Sequence, residues 1–149
     1  MFQIFIPGEP RPQGSKKAYM RGSTIVMVEA QKDLPVWRAH MQRQLELKML
    51  EHQTMFTEAV SVELVFWITR PKSVTRPYAT KTYDIDKLTR AVLDSCTKAL
   101  VFRDDSDVID LTVRKNYNDH HDTGVLINIT PFDNDYITAE VSPIDRKRR

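Results

Sequence analysis

Tyr83-Asp84-Ile85-Asp86-Lys87-Leu88-Thr89-Arg90-Ala91-Val92-Leu93-Asp94, followed after a short gap by Phe102-Arg103-Asp104-Asp105-Ser106-Asp107-Val108-Ile109, is the stretch from which the rest of the chain can be ordered. At about 100° per residue, Ile85, Leu88, Ala91, Val92, Ser95, Cys96 and Ala99 share one half of a helical wheel. Asp86, Lys87, Arg90, Asp94 and Lys98 fill the other half. The spacing predicts an amphipathic helix from about Ile85 to Ala99. Asp84 takes the N-cap position and Asp86 the first turn, where negative charge is favoured. Upstream, Val60, Val62, Leu64, Phe66 and Ile68 alternate, with Val65 and Trp67 on the opposite face. That pattern predicts a strand covered on both sides and hence central. Downstream, Val108–Lys115 and Gly124–Thr130 read as a hairpin turning near residues 118–124.

Further out the signals are shorter. Phe2–Ile6 reads as a strand ended by Pro7-Gly8, and Pro10, Pro12 and Gly14 keep the next segment in a loop. Thr24–Val28 is a second short strand. Asp33 and Pro35 start another helix, Leu34 to about Glu51, with Val36, Trp37, Met41, Leu45 and Met49 at helical spacing. Residues 70–83 hold Pro71 and Pro77 and no periodicity, so they form a long loop of the kind that is usually functional. The order β-β-α-β-α-β-β predicts an α+β (mixed α/β) domain over residues 1–133, with a small mixed sheet of about four to five strands and two main helices. Residues 134–149 read as a polar, basic, disordered tail.

Composition excludes several classes. With 149 residues, 41% apolar and 28% charged, the chain has enough apolar side chains for one core, which excludes wholesale disorder. No apolar run approaches the ~18 residues of a membrane span, and the N-terminus lacks the pattern of a secretory signal. A lone cysteine, Cys96, makes neither an internal disulfide nor a Cys-rich zinc site. Its place on the apolar helix face marks it as core rather than nucleophile. A cytoplasmic protein is expected.

The net charge of +2 hides an uneven distribution. Arg11, Lys16, Lys17 and Arg21 crowd the first loop; Arg70, Lys72, Arg76 and Lys81 occupy an acid-free second loop; the chain ends Arg146-Lys147-Arg148-Arg149. Acids gather instead at Asp84, Asp86, Asp94, Asp104, Asp105, Asp107 and Asp110. Solubility alone accounts for many such patches, but basic loops beside clustered carboxylates also suit a metal-dependent enzyme acting on a polyanion. Asp-x-Asp by itself is equally explained by helix capping. Asp104-Asp105 adds a second acidic pair where the chain enters the next strand. Three or four carboxylates converging there would repel one another without a hard cation such as Mg²⁺. The chemistry expected of such a site is phosphodiester hydrolysis. Arg90, one helical turn after Asp86, is either an i,i+4 surface pair or a group that steadies the scissile phosphate.

Asp84-Ile85-Asp86-Lys87-Leu88-Thr89-Arg90 through Asp94, then Asp104-Asp105-Ser106-Asp107-Val108 and a downstream Lys115, resembles the RusA family of Holliday-junction resolvases. The family pattern is Asp-x-Asp-Asn-Leu-x-Lys-x-x-x-Asp, then Asp-Asp-x-x-Val and a strand with Lys. The initial strand running into the Pro-rich basic loop from Ile6 to Pro12 fits as well. The resemblance spans most of residues 2–130, with its specific motifs confined to 83–115. It implies a RusA-like fold and a Mg²⁺-dependent homodimeric endonuclease (Mn²⁺ as substitute) of phage or prophage type. Such an enzyme nicks four-way branched DNA symmetrically during recombination and repair, near the nucleoid of a bacterial host cell, with no membrane and no nucleotide cofactor.

Carried over by position, Asp84, Asp86 and Asp105 are the catalytic, metal-binding carboxylates, Asp104 joins them at the metal, and Arg90 is catalytic. Two departures stand out: the family's catalytic lysine is Arg90 here, and its usual asparagine is Lys87. Arginine keeps the charge and grips phosphate, but it is a poor proton donor. Arg11, Lys16, Lys17, Arg70, Lys72, Arg76, Lys81, Lys87 and Lys115 are the expected DNA contacts. Tyr78, Tyr83 and Phe102 flank the acids and are candidates to stack on unpaired bases, core packing being the other reading of Phe102. His120-His121-Asp122 reads as a polar turn rather than a metal site. Two alternatives stay open: a nuclease for other branched or flapped DNA in phage replication or packaging, and a catalytically impaired junction-binding protein.

Overall fold

The computed structural model describes residues 1–14, 16–29 and 32–133. In chain order the elements are β1 (Phe2–Pro7), β2 (Lys16–Arg21), β3 (Thr24–Glu29), α1 (Leu34–His52), β4 (Val60–Ile68), α2 (Ile85–Lys98), a 3-10 turn at Asp105–Asp107, β5 (Val108–Tyr117) and β6 (Gly124–Pro131). The main sheet has the order β1-β6-β4-β5, and β2 pairs with β3 in a separate ribbon. The architecture is the expected α+β, with a mixed four-stranded sheet and two helices.

Alternation along β4 sets the layers. Val60, Val62, Leu64, Phe66 and Ile68 are buried, and all but Ile68 join Val125, Ile127 and Ile129 of β6 and Phe2 and Ile6 of β1 in the main core. The helices close the same face with Leu34, Trp37, Met41 and Leu45 from α1 and Leu88, Ala91, Val92 and Cys96 from α2. Burial pushes the Cys96 thiol up to about 12, so it stays protonated and inert. Arg38 and Asp94 approach to 3.9 Å across the two helices. The acid that ends the 84–94 motif thus joins helix to helix.

Three expectations are corrected. β5 and β6 do not form a hairpin: β4 lies between them, parallel to β5 and antiparallel to β6. β4 buries a side chain at every second position and is paired on both edges, whereas β5 is exposed along most of its length and suits an edge. The parallel pairing needs a long crossover, which α2 and its flanking loops supply. Secondly, β4 is central by pairing but not covered on both faces: Glu63 is exposed, and Ser61, Val65 and Trp67 are half-buried. Thirdly, the segment after Gly14 is not all loop, because Lys16–Arg21 pairs with β3 around Gly22-Ser23. Asp33 stands in front of α1 but makes no capping hydrogen bond; its carboxylate lies 3.7 Å from Arg11.

Just past the Ala99 cap of α2, Leu100 takes left-handed backbone (φ 58°), and Val101 N–H donates back to the Cys96 carbonyl. That reversal carries the chain through the buried Phe102 to Asp104 and Asp105. Phe132 N–H donates to the Ala59 carbonyl and closes the described fold near its end. The expected disordered tail, including Arg146–Arg149, lies outside the described residues. Among the described residues no helix is long and apolar enough to cross a membrane.

Candidate active site

An open cleft of about 400 Å³ separates the first turns of α2 from the edge strand β5. Asp86, Thr89, Arg90 and Leu93 line it from α2, Leu111 and Val113 from β5, and Asp105 from the turn that leads into β5. The helical period explains the first wall, since positions 86, 89, 90 and 93 follow the i, i+3, i+4, i+7 rule. The second wall follows from register: Leu111 and Val113 sit beside Val62 and Leu64 on the helix-covered face. Two acids far apart in sequence therefore open onto one space with one arginine. The side chains of Asp86 and Arg90 are exposed and make no hydrogen bond or ion pair with another described residue.

Asp84 and Asp104 are engaged elsewhere. Asp84 occupies the N-cap position with extended backbone, yet its side chain makes no capping hydrogen bond. It lies 3.3 Å from Lys87 Nζ. Asp104 accepts from Ser106 N–H and, in a short contact, from Ser106 Oγ–H; these bonds hold its carboxyl below the usual carboxylate range. Of the four acids expected to converge, Asp86 and Asp105 share the cleft wall, and Asp84 and Asp104 do not line it. Among the described residues no three His, Cys, Asp or Glu side chains are grouped so as to hold a metal by themselves. Asp86 and Asp105 are hard oxygen donors of the kind Mg²⁺ takes from protein, one or two carboxylates with water and substrate phosphate completing its shell. The donor set fits that ion.

The expected basic residues divide by what holds them. Arg70 grips Asp119 through two bonds (2.6 and 2.7 Å), donates to the carbonyl of Arg76 and lies over the Tyr117 ring. The pairing raises Arg70 and lowers Asp119 in pKa. Its donors are thus spent on folding loop 70–83, not turned to a ligand. Arg76 Nε–H donates to the Thr80 carbonyl in the same loop. Lys115 donates to the Tyr83 carbonyl at 2.7 Å and to Thr82 Oγ1 at 3.3 Å, tying β5 to the entrance of α2. Arg11 donates to Tyr83 Oη, and Gln13 N–H donates to the Lys87 carbonyl, so the Pro-rich loop rests against the first turn of α2. Lys72 and Lys81 are exposed, Lys81 in left-handed backbone. Lys16 and Lys17 lie in β2.

Of the aromatic candidates, Phe102 is fully buried and Tyr83 half-buried, whereas Tyr78 is 77% exposed. Core packing therefore accounts for Phe102. Sequence reasoning missed Thr89, Leu93, Leu111 and Val113 as cleft residues. The first two were legible from their helical spacing to Asp86; the β5 pair required the strand register. His121 stacks on Trp67 with ring centroids 3.7 Å apart, and its Nδ1–H donates to the Asp122 carbonyl.

The family model described as Endodeoxyribonuclease RusA matches residues 7–130, most of the chain and all of the cleft just described. No curated protein matches the chain.

Proposed function

Because the chain belongs to the Endodeoxyribonuclease RusA family, we propose that it is a Mg²⁺-dependent homodimeric endonuclease that resolves four-way DNA junctions by paired nicks in recombination and repair. The observation that carries this reading is the shared cleft of Asp86, Arg90 and Asp105. Asp86 and Asp105 would hold the cation, with Asp84 and Asp104 close along the chain to each. When bound, Mg²⁺ supplies Lewis acidity at the phosphate and makes water more acidic.

The chain's own residues supply the rest. Arg90 opens into the same cleft as the carboxylates and offers a fork of N–H donors that matches a phosphate. Its role is to bind the scissile phosphate and stabilise charge that develops on its oxygens. Arginine is a poor proton donor, so the leaving oxygen draws its proton from solvent or from Lys87, whose ammonium lies beside Asp84. Lys115 positions the loop–helix corner that presents Asp84 and Asp86. Lys72 and Lys81 supply positive charge for the flanking backbone. A two-fold dimer would present two such clefts in matching orientation to a branch of approximate two-fold symmetry.

The test is nicking of a four-way junction with and without Mg²⁺, beside three-way and linear duplex DNA. Symmetric nicks that require the metal and favour the four-way substrate support the reading. Preference for linear duplex overturns it.

A further inference from the structure

A second groove, of about 390 Å³, lies where loop 70–83 crosses the end of β5 and the 118–123 turn. Trp67, Tyr78, Tyr117, His120 and His121 give it five rings, and Asn116 and Lys115 are among its polar walls. The Trp67 and His121 rings are parallel to within 9°, with Phe5 edge-on to both. That small pile of rings stands on the sheet face that no helix covers. Tyr78, at 77% exposure, is the outer wall. Tyr117 is 95% buried, and its hydroxyl has no hydrogen-bond partner among the described residues. A protein interior rarely strands such a group without a ligand or water to satisfy it.

We propose that this groove receives one unpaired nucleobase of the DNA substrate. The inference rests on the reading of the chain as a nuclease of branched DNA and adds to it a site that senses the unstacked base. Rings on several sides with a few polar groups between them are what a base needs once it leaves the helix, because every base offers a stacking face and a hydrogen-bonding edge. Position supports the assignment. Lys115 lines the groove and also donates to the Tyr83 carbonyl, one residue before Asp84. Loop 70–83 forms one wall through Pro77, Tyr78 and Ala79 and then runs directly into α2. Arg70 holds that loop against Asp119 and Tyr117, so the groove is built before DNA arrives. A base seated there would report an unpaired position to the corner that carries the acids.

The test compares binding, without Mg²⁺, of a duplex carrying a single bulged thymine with the same duplex fully paired. The wild-type protein should favour the bulged duplex by roughly tenfold, the scale of one base–aromatic stack. Tyr78→Ala and His121→Ala should each lower the bulged-duplex affinity and leave the paired duplex unchanged; both side chains are exposed, and a circular dichroism melt checks the fold. A bulged 5-iodouracil should cross-link under ultraviolet light to Tyr78, Trp67 or a neighbouring histidine. The proposal is overturned by equal wild-type affinity for the two duplexes, by variants that keep the preference, or by cross-links mapping only elsewhere. Four-way-junction nicking is measured in parallel. Absence of nicking with the bulge preference intact would remove the parent reading and leave the groove. Nicking with no bulge preference would do the reverse.

Discussion

Lys115 Nζ lies 2.7 Å from the carbonyl oxygen of Tyr83, so the residue in front of Asp84 is held by the strand that Asp105 leads into. This bond, with its companion to Thr82 Oγ1, ties the far end of β5 to the loop that enters α2 in front of Asp84. Lys115→Met keeps most of the side-chain volume and removes the donor. The expected cost is about 1.5–3 kcal/mol of stability, the range for a hydrogen bond involving a charged group, read from urea unfolding. Nicking should fall more than junction affinity, since the variant loosens the corner that presents the acids. Equal losses in both would assign Lys115 to DNA contact alone.

Asp86 has no described partner, and its charge faces the cleft. Asp86→Asn should abolish Mg²⁺-dependent nicking while junction binding measured without metal is kept or tightened. The tightening follows from removing a negative charge beside phosphate. Gel-shift and nicking assays on one preparation decide it, and cutting at the wild-type rate would strip Asp86 of its assignment.

The Arg70–Asp119 pair gives loop 70–83 a pH dependence with a definite sign. Hydrogen bonds from Arg70 hold the Asp119 carboxyl below its ordinary value. A depressed carboxylate contributes its stabilisation fully above the unfolded-state pKa, about 3.9, and loses it as pH falls through the lower folded value. Hydrogen exchange across residues 70–83, corrected for its intrinsic pH dependence, should stay slow from neutrality to about pH 4 and quicken below. Asp119→Asn should exchange fast already at pH 7. A wild-type loop that loosens between pH 7 and pH 5 would contradict this account.

Lys72 and Lys81 are the exposed cations of the same loop, whereas Arg70 and Arg76 are bonded within it. Lys72→Ala with Lys81→Gln should weaken junction binding and flatten its salt dependence by about one log–log unit for each lost phosphate contact. An unchanged slope would take the loop out of the interface.

How far the sequence could be read depended on whether local pattern or long-range pairing decided the outcome. α2 and β4 were legible because burial imposes a period that sequence displays directly: Leu88, Ala91, Val92 and Cys96 on one, Val60 to Ile68 on the other. Of the small ribbon, β3 was legible as Thr24–Val28, but β2 was not, since Lys16-Lys17-Ala18-Tyr19-Met20-Arg21 has no alternating apolar pattern. Its one signal was Gly22-Ser23, a two-residue connection of the hairpin type. The false β5–β6 hairpin arose because adjacency in sequence favours pairing, while the competing claim of β4 on both strands is nonlocal. The cleft shows the same division. Asp86 and Arg90 share a helix face by arithmetic, but bringing Asp105 to them required the crossover and the reversal at Leu100.

Arg90 stands where the family pattern has lysine, and the two side chains differ in what they can do with a proton. If charge stabilisation is its role, Arg90→Ala should lower nicking by about 10²–10³, the cost of removing one preorganised donor from a developing anion. Arg90→Lys should keep most of the activity, because an ammonium still stabilises the phosphate as a point charge. The pH–rate profile then separates the roles. An arginine keeps its charge throughout, so the wild-type rate should show no alkaline limb arising from position 90. The lysine variant should lose rate as pH rises towards about 10, where a lysine surrenders its proton. An alkaline limb absent from both proteins, with Arg90→Ala fully active, would leave the cleft arginine without a part in the chemistry and move charge stabilisation to Lys87.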